Sequence, residues 1–461
     1  MIWVLMNWAL MLTYSMIALV FLFIIGFPIL IFLTRQHFKR KKLNNKSIEK
    51  AVTIGFFHPY CIVGGGVDRV LYSAIRTVQN RYPTVKIVLY TGDLNASPEE
   101  ITNKVLRKFN IKLPQPIEFV YLYKRNWIEA ETYPYFTLLG QSLGSIMLGL
   151  EAMSSHIPDI YVDSMGYTFT LPLFSYIGLC SVICYIHHPT ITADMLTRCS
   201  SSIMNRANRN PIISSAKLIY YRLFAKAYSY AGKFSDSVIV NSSWTEDHIN
   251  TLWDCSLCSH RVYPPCDTES IKKLKKDCLD WDSTKIRIVT IGQFRAEKDH
   301  PLQLRTMYQL RQLVSEDIWE NIKLIIIGIC ATKADEVRLK DMQDLCKHLS
   351  LENNVEFLIN ISYSDLTQEL NKGTIGIHTM QNEHFGISVV ECMAAGLIMV
   401  AHRSGGPQMD IIEEAEVSRT GFLATDESEF ANTIASIIQM PRKTKEKIQE
   451  AARSSVDRFS V

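Results

Sequence analysis

The sequence predicts an α/β protein, with two doubly wound parallel-sheet domains preceded by an N-terminal transmembrane helix. Three observations carry this. Apolar runs of strand length alternate with helical stretches, the pattern of parallel sheets covered on both faces. The alternation runs in two series, separated by the polar, charged stretch CDTESIKKLKKDCLDWDSTK at 266–285. Residues 1–34 contain no Asp, Glu, Lys or Arg. A chain of 461 residues also exceeds one core, since roughly 150 residues per domain suggests about three units.

The first unit is the expected anchor, residues 1–34. Residues 17–32 are apolar apart from Gly26 and Pro28, and a bilayer core needs about 20 such residues. RQHFKRKKLNNK (35–46) follows, within a basic juxtamembrane linker at 35–50. A cleaved signal would carry its charge ahead of the apolar run. Here the charge comes after it, so the positive-inside rule puts Met1 in the lumen and everything beyond Arg35 in the cytosol.

The first strand series is AVTIGFF (51–57), KIVLYTG (86–92), IEFVYLY (117–123), DIYVDS (159–164), SVICYIHH (181–188) and SDSVIVNSS (235–243), giving a domain over 51–270. A linker at 271–285 leads to IRIVTIGQF (286–294), KLIIIGI (323–329), VEFLI (355–359), TIGIHTM (374–380) and LIMVAH (397–402), a second domain over 286–440, with a C-terminal helical segment at 441–461. In such sheets ligands bind beyond the carboxyl ends of the strands, so residues just after each strand should carry the function. Three greasy stretches, 136–153, 168–186 and 216–232, are candidates for membrane contact. Glu151 and interrupting Gly and Pro residues favour core or membrane-facing helices for the first two, and interleaved Lys, Arg and aromatics suit either an interfacial helix or an ordinary half-buried one for the third.

Composition excludes some classes. A formal net charge of +3 is too mild for a nucleic-acid partner. Eleven scattered cysteines fit a reducing compartment rather than a disulfide framework. Cys255-x-x-Cys258 with His260 and Cys266 is too isolated to read as a zinc site.

Three motifs point to chemistry. Gly64, Gly65 and Gly66 lie between a strand and a helix, where glycine lets backbone N–H groups approach a ligand. They match neither a dinucleotide fingerprint nor a phosphate loop. Arg295 and Lys298, just after a strand, supply two cations that could neutralise a diphosphate. NEHFGISVVECMAAG (382–396) reads as loop, then helix, then a glycine stop. The N–H groups around Phe385, Gly386 and Ile387 then form a helix N-terminus suited to phosphate oxygens. Glu383 lies on the loop and Glu391 inside the helix, so Glu391 can accept from ribose hydroxyls. A general acid–base carboxylate pair is the competing reading.

These features resemble the retaining glycosyltransferases of the GT-B architecture, two Rossmann-like domains facing across a cleft. FFHPYCIVGGGVDRVLYSAI, YPYFTLLGQSLGS, YVDSMGYTFTLPLF, VNSSWTEDHI, VYPPCD and NEHFGISVVECMAAG are similar to the dolichyl-diphosphate-oligosaccharide α-1,2-mannosyltransferase family. The resemblance covers residue 50 to the end. It implies GDP-mannose as donor and Man3GlcNAc2-diphosphodolichol as acceptor, with two successive α-1,2 additions on the cytosolic face of the endoplasmic reticulum. It implies Glu383, His187, Arg295 and Lys298 as catalytic residues, and Arg295, Lys298, Phe385, Gly386, Ile387 and Glu391 as the donor site. Gly64 to Gly66 form the acceptor-facing glycine loop. No metal and no cofactor is expected, since the only D-x-D, Asp280-Trp281-Asp282, falls in the linker. Membrane lipid and other mannosyltransferases of the same pathway are the further partners it suggests.

Val67-Asp68 stands where the family tends to carry a fourth glycine and a glutamate, and the chain stops at FSV, short of the family's final helix. Another nucleotide sugar would keep every motif. A phosphorylase would need a pyridoxal-phosphate lysine. A non-catalytic membrane subunit would tolerate loss of Glu383 or Lys298.

Overall fold

A computed structural model of the chain describes residues 2–48, 51–62, 65–192, 195, 211–274, 285–330 and 332–460. Gly64 and the expected linker segment 275–284, with Asp280-Trp281-Asp282, lie outside the described residues. The chain divides into two compact units. The first comprises Met1–Gly64, Ala74–Ile239 and Ile249–Ser259; the second comprises Gly65–Ser73, Val240–His248 and His260–Val461.

Seven strands form the first sheet: β1 (Thr53–Phe57), β2 (Lys86–Thr91), β3 (Glu118–Tyr121), β4 (Ile160–Asp163), β5 (Ser181–Ile186), β6 (Ser237–Val240) and β7 (Ser259–Arg261). Their order is β3-β2-β1-β4-β5-β6-β7, parallel from β3 through β5. Its core is aromatic. Phe57, Tyr90, Tyr161 and Phe174 are fully buried, with Tyr161 stacked on Phe174 at 3.6 Å. Both tyrosine hydroxyls are satisfied, Tyr90 donating to the His156 carbonyl at 3.0 Å and Tyr161 bonded to Thr170 Oγ1 at 2.7 Å. A buried phenol requires such partners.

Two of the greasy stretches pack into this unit, while the third, in the helix Pro211–Gly232, buries Phe224, Tyr228 and Ala231 and exposes Ile219, Leu223 and Tyr230. The helix Thr137–Ser155 buries Ser142, Gly144, Ser145, Leu148, Gly149, Ala152 and Met153. A Cβ on Gly144 would sit 1.9 Å from the Trp127 carbonyl, so only glycine permits that approach. The second stretch is broken into the turns Thr168–Thr170 and Leu173–Ile177 before β5.

The N-terminal helix runs from Ile2 to Ile48. Among the described residues no helix is long and apolar enough to cross a membrane, so the expected transmembrane anchor is not found there. The side chains of residues 17–24, within the expected span, lie outside the description. From Ile25 onward only a short apolar piece precedes Arg35, well below the roughly 20 residues a span requires. Ile25, Phe27, Ile29, Leu30, Phe32 and Leu33 are exposed on it. The basic stretch beyond remains helical and docks on the first unit. Lys41 and Lys42 donate to the carbonyls of Ser154 and Leu179, Lys46 pairs with Asp159 at 2.9 Å, and Arg35 lies over the Tyr176 ring.

The second sheet has six strands: β8 (Ile286–Ile291), β9 (Ile322–Gly328), β10 (Val355–Ile359), β11 (Ile375–His378), β12 (Ile398–His402) and β13 (Gly421–Ala424). It is all-parallel, in the order β10-β9-β8-β11-β12-β13. That is the doubly wound nucleotide-binding order, reversing between β8 and β11. Strand alternation feeds two cores. Ile288, Leu324, Ile326 and Val400 pack on one face with Leu304, Met307, Phe430 and Ile434. Val289, Ile325, Ile327 and Met399 pack on the other with Val389, Met393, Ala452 and Phe459. Two covered faces explain why these strands read as unbroken apolar runs.

Candidate active site

The carboxyl edge of the second sheet, where its order reverses, gathers charge. β11 ends in His378, which is 3% exposed, and the chain then loops through Glu383 to the helix Ile387–Ala394. Glu383 Oε2 accepts from Lys298 Nζ at 2.5 Å and from His378 Nε2 at 3.1 Å. Burial opposes ionisation of this carboxyl, but Lys298 and His378 outweigh it and hold Glu383 below the usual carboxylate range. Lys298 is itself placed from β11: Thr379 Oγ1 donates to the carbonyls of Lys298 and Asp299, and Gln303 donates to Thr290 and Thr379.

The loop is pinned by a segment that the sequence reading did not single out. Asn382 N donates to Ser404 Oγ at 2.7 Å, and Gly406 N to the Glu383 carbonyl at 2.7 Å. A Cβ on Gly405, at φ +61°, would meet the Glu383 carbonyl at 2.2 Å; one on Gly406 would meet the Phe385 carbonyl at 2.4 Å. The paired glycines in SGGP were the available signal.

The glutamate helix begins as expected. Its N-cap residue is Gly386, at φ +110°, which has no side chain to bond the first turn, so N–H groups of that turn are left to point outward from the N-terminus. The Phe385 side chain is 2% exposed and wedged against Tyr263 and Phe459, which anchors the loop that carries its backbone N–H. Glu391 lies a turn inside, where Arg69 Nη1 meets its Oε1 at 3.0 Å. Burial pushes the Glu391 carboxyl up against the opposing pull of Arg69. Gly66 abuts the same helix, its notional Cβ 2.7 Å from Ile387 Cδ1, whereas Gly65 faces open space.

Arg295 is less engaged than Lys298. Its side chain is 51% exposed and reaches Glu297 only at 4.0 Å. Beside Lys298, His300 is 1% exposed with neither ring nitrogen bonded, and burial lowers its pKa from 6.5 to about 4.

The first unit carries its own polar cluster at the carboxyl ends of β1, β4 and β5. His187 Nε2 donates to the Ser164 carbonyl at 3.2 Å. Ser164 Oγ donates to the Phe57 carbonyl and so accepts from His58 Nδ1 at 2.8 Å. Asp163 is fully buried and pushed up to about 6 by burial; its Oδ1 accepts from Met165 N and Gly166 N, and its Oδ2 has no partner among the described residues. His58 and Asp163 could have been found from their strand-end positions alone. Among the described residues no group of three or more His, Cys, Asp or Glu is arranged to hold a metal.

Residues 51–253 match the family described as ALG11 mannosyltransferase N-terminus, and residues 272–455 match Glycosyl transferases group 1. The GDP-Man:Man(3)GlcNAc(2)-PP-Dol alpha-1,2-mannosyltransferase of Mus musculus is 46% identical over 441 residues, covering 92% of this chain and 88% of its own. The protein of the same name from Homo sapiens is 47% identical, covering 92% and 87%, and that from Dictyostelium discoideum 46%, covering 91% and 84%. Among solved structures, Anabaena Alr3699/HepE in complex with UDP and glucose superposes with a TM-score of 0.61 at 18% identity, covering 88% of this chain and 95% of its own. That likeness shows the glycosyltransferase fold, and the sequence relatives show the rest: the chain is a glycosyltransferase belonging to the GDP-Man:Man(3)GlcNAc(2)-PP-Dol alpha-1,2-mannosyltransferase family.

Proposed function

We propose that this enzyme transfers mannose, with retention, from GDP-mannose to Man3GlcNAc2-PP-dolichol, adding two α-1,2-linked residues on the cytosolic face of the endoplasmic reticulum. The observation that carries the site assignment is Lys298, paired with Glu383 beside an uncapped helix N-terminus at the sheet's switch point.

The nucleotide diphosphate lies at that N-terminus, with Lys298 and Arg295 as its cations. On donor binding Lys298 turns from Glu383 to the phosphates, and the released carboxylate accepts from mannose hydroxyls. The bond from mannose C1 to the phosphate oxygen breaks while C1 bonds the acceptor 2-hydroxyl on the same face. The acceptor proton passes to the departing phosphate oxygen, and GDP leaves. Cations and amide dipoles fixed before the reaction stabilise that leaving charge without reorganisation, so metal is not required. Glu391 holds the ribose. His187 serves the transferred sugar.

For the membrane, the exposed Ile25–Leu33 side chains and the charge-free residues 1–34 support an N-terminal anchor, with Lys41, Lys42 and Lys46 fastening it to the first unit. The test is reconstitution. Detergent-solubilised protein with GDP-mannose and Man3GlcNAc2-PP-dolichol should yield a pentamannosyl product, trimmed back by an α-1,2-specific mannosidase, with chelator leaving the rate unchanged. Transfer from UDP-sugars instead, or a mannosidase-resistant linkage, overturns the proposal.

A further inference from the structure

We propose that Arg69 is a positioning residue for the nucleotide's ribose, acting through Glu391. The inference rests on the donor reading above and adds to it a residue outside the glutamate, lysine and glycine motifs.

Arg69 lies on the helix Gly66–Arg81, and it meets Glu391 from 322 residues away in sequence. Both side chains are nearly buried, 8% and 11% exposed. Arg69 holds Oε1, while among the described residues Oε2 has no hydrogen-bond partner. A carboxylate held at one oxygen by a buried guanidinium has its rotation restricted, leaving the second oxygen to receive hydroxyls. Gly66, three residues earlier, lets this helix start press against Ile387 and so brings the guanidinium to the glutamate.

Charge supports the geometry. Burial alone favours the neutral Glu391 carboxyl, and Arg69 is the cation opposing it. A neutral carboxyl offers the ribose a poorer acceptor than a carboxylate. Asp267 and Tyr363 also bear on the guanidinium, and Tyr363 OH bonds Asp267 Oδ2 at 3.3 Å. Arg69 therefore keeps acidic company when Glu391 engages the nucleotide.

The test compares GDP with 2′,3′-dideoxy-GDP, which lacks both ribose hydroxyls, by calorimetry on the full chain in detergent. The wild-type protein is expected to favour GDP by about tenfold, the strength of hydroxyls bonded to a charged acceptor. Arg69→Gln should shrink that preference to within about threefold, leaving dideoxy-GDP affinity unchanged. A merely structural role would weaken both ligands alike, and that result overturns the proposal. So does an Arg69→Gln protein with its ribose preference intact. If Arg69→Gln does not fold, Arg69→Lys decides: it keeps the charge but not the planar fork, so a reduced preference is expected and a wild-type preference refutes. Glu391→Gln separates the two readings. A preference surviving in Glu391→Gln removes the ribose role of Glu391 itself, whatever Arg69 does.

Discussion

Glu383 and Glu391 stand eight positions apart on one loop and helix, and the fold treats their charges in opposite ways. Glu383 faces two donors, Lys298 and His378, and its carboxyl is held below the usual range. Among the described residues Glu391 faces one, Arg69, and burial pushes its carboxyl up. The difference follows from position. A loop at the end of a strand can collect partners from neighbouring strand ends, as Glu383 does from β8 and β11. A residue inside a helix packed against a core meets only what is brought to it. The proposed roles follow this difference: Glu383 would hold and then release a cation, and Glu391 would present an oxygen to the ribose.

The sharpest way to break this comparison is at Lys298. Lys298→Ala should lower turnover at saturating GDP-mannose by about 10²–10³-fold, the cost of removing one preorganised donor to a developing anion. The check is steady-state transfer to a trimannosyl lipid acceptor. Adding Glu383→Gln to that variant should cost far less than it does alone, because the two side chains act as one unit. Additive losses would show that they serve separate steps.

Acid sharpens the comparison further, through His300. Its pKa falls from 6.5 to about 4 on folding. Between those values the unfolded chain binds a proton that the folded chain refuses, so stability is lost as pH drops through this window. The shift amounts to on the order of 3 kcal/mol at full extent. His300→Phe keeps the ring contact with Phe294, at 5.5 Å, and removes the proton site. Urea midpoints of wild type should therefore fall more steeply than those of the variant between pH 7 and pH 4. Parallel curves would mean the imidazole titrates normally and is not sealed beside Lys298.

Glu391→Gln should act more mildly and on a different parameter. A ribose contact made equally in ground and transition states changes KM and leaves kcat alone. The expected rise in the GDP-mannose KM is about tenfold, one charged hydrogen bond's worth. A fall in kcat with KM unchanged would instead make Glu391 a partner in the chemistry, like Glu383.

Much of this site was legible because its signals are local. The strand, loop, helix and glycine stop around residues 375–396 follow one another in sequence, and their periods change where the elements do. What was missed comes from elsewhere in the chain. His378 reads as one more residue of a buried strand, and Arg69 as a surface charge on an amphipathic helix. Neither can be paired with a glutamate without the tertiary structure. Gly405 and Gly406 are needed because another loop's carbonyls pass close by, a constraint no periodicity records. The stretch 168–186 looked fit for a membrane because burial in a protein core and in lipid select the same side chains; only the turns at Thr168–Thr170 and Leu173–Ile177 separate the two.

Arg295 gives the smallest expected effect and the closest contrast with Lys298. The two sit three residues apart after β8, yet Lys298 is fixed by Thr379 and Glu383 while Arg295 stays half exposed with one loose partner. A solvated cation gives its ligand about 1 kcal/mol at most, roughly fivefold, and salt screens it. Arg295→Ala should therefore raise the GDP-mannose KM about fivefold at low ionic strength, and the penalty should shrink toward nothing near 0.5 M salt. The Lys298→Ala loss should persist there, because that contact forms out of water. A salt-resistant loss of Lys298 magnitude at Arg295 would show that donor binding draws the arginine inward, making the two cations equal partners on the diphosphate.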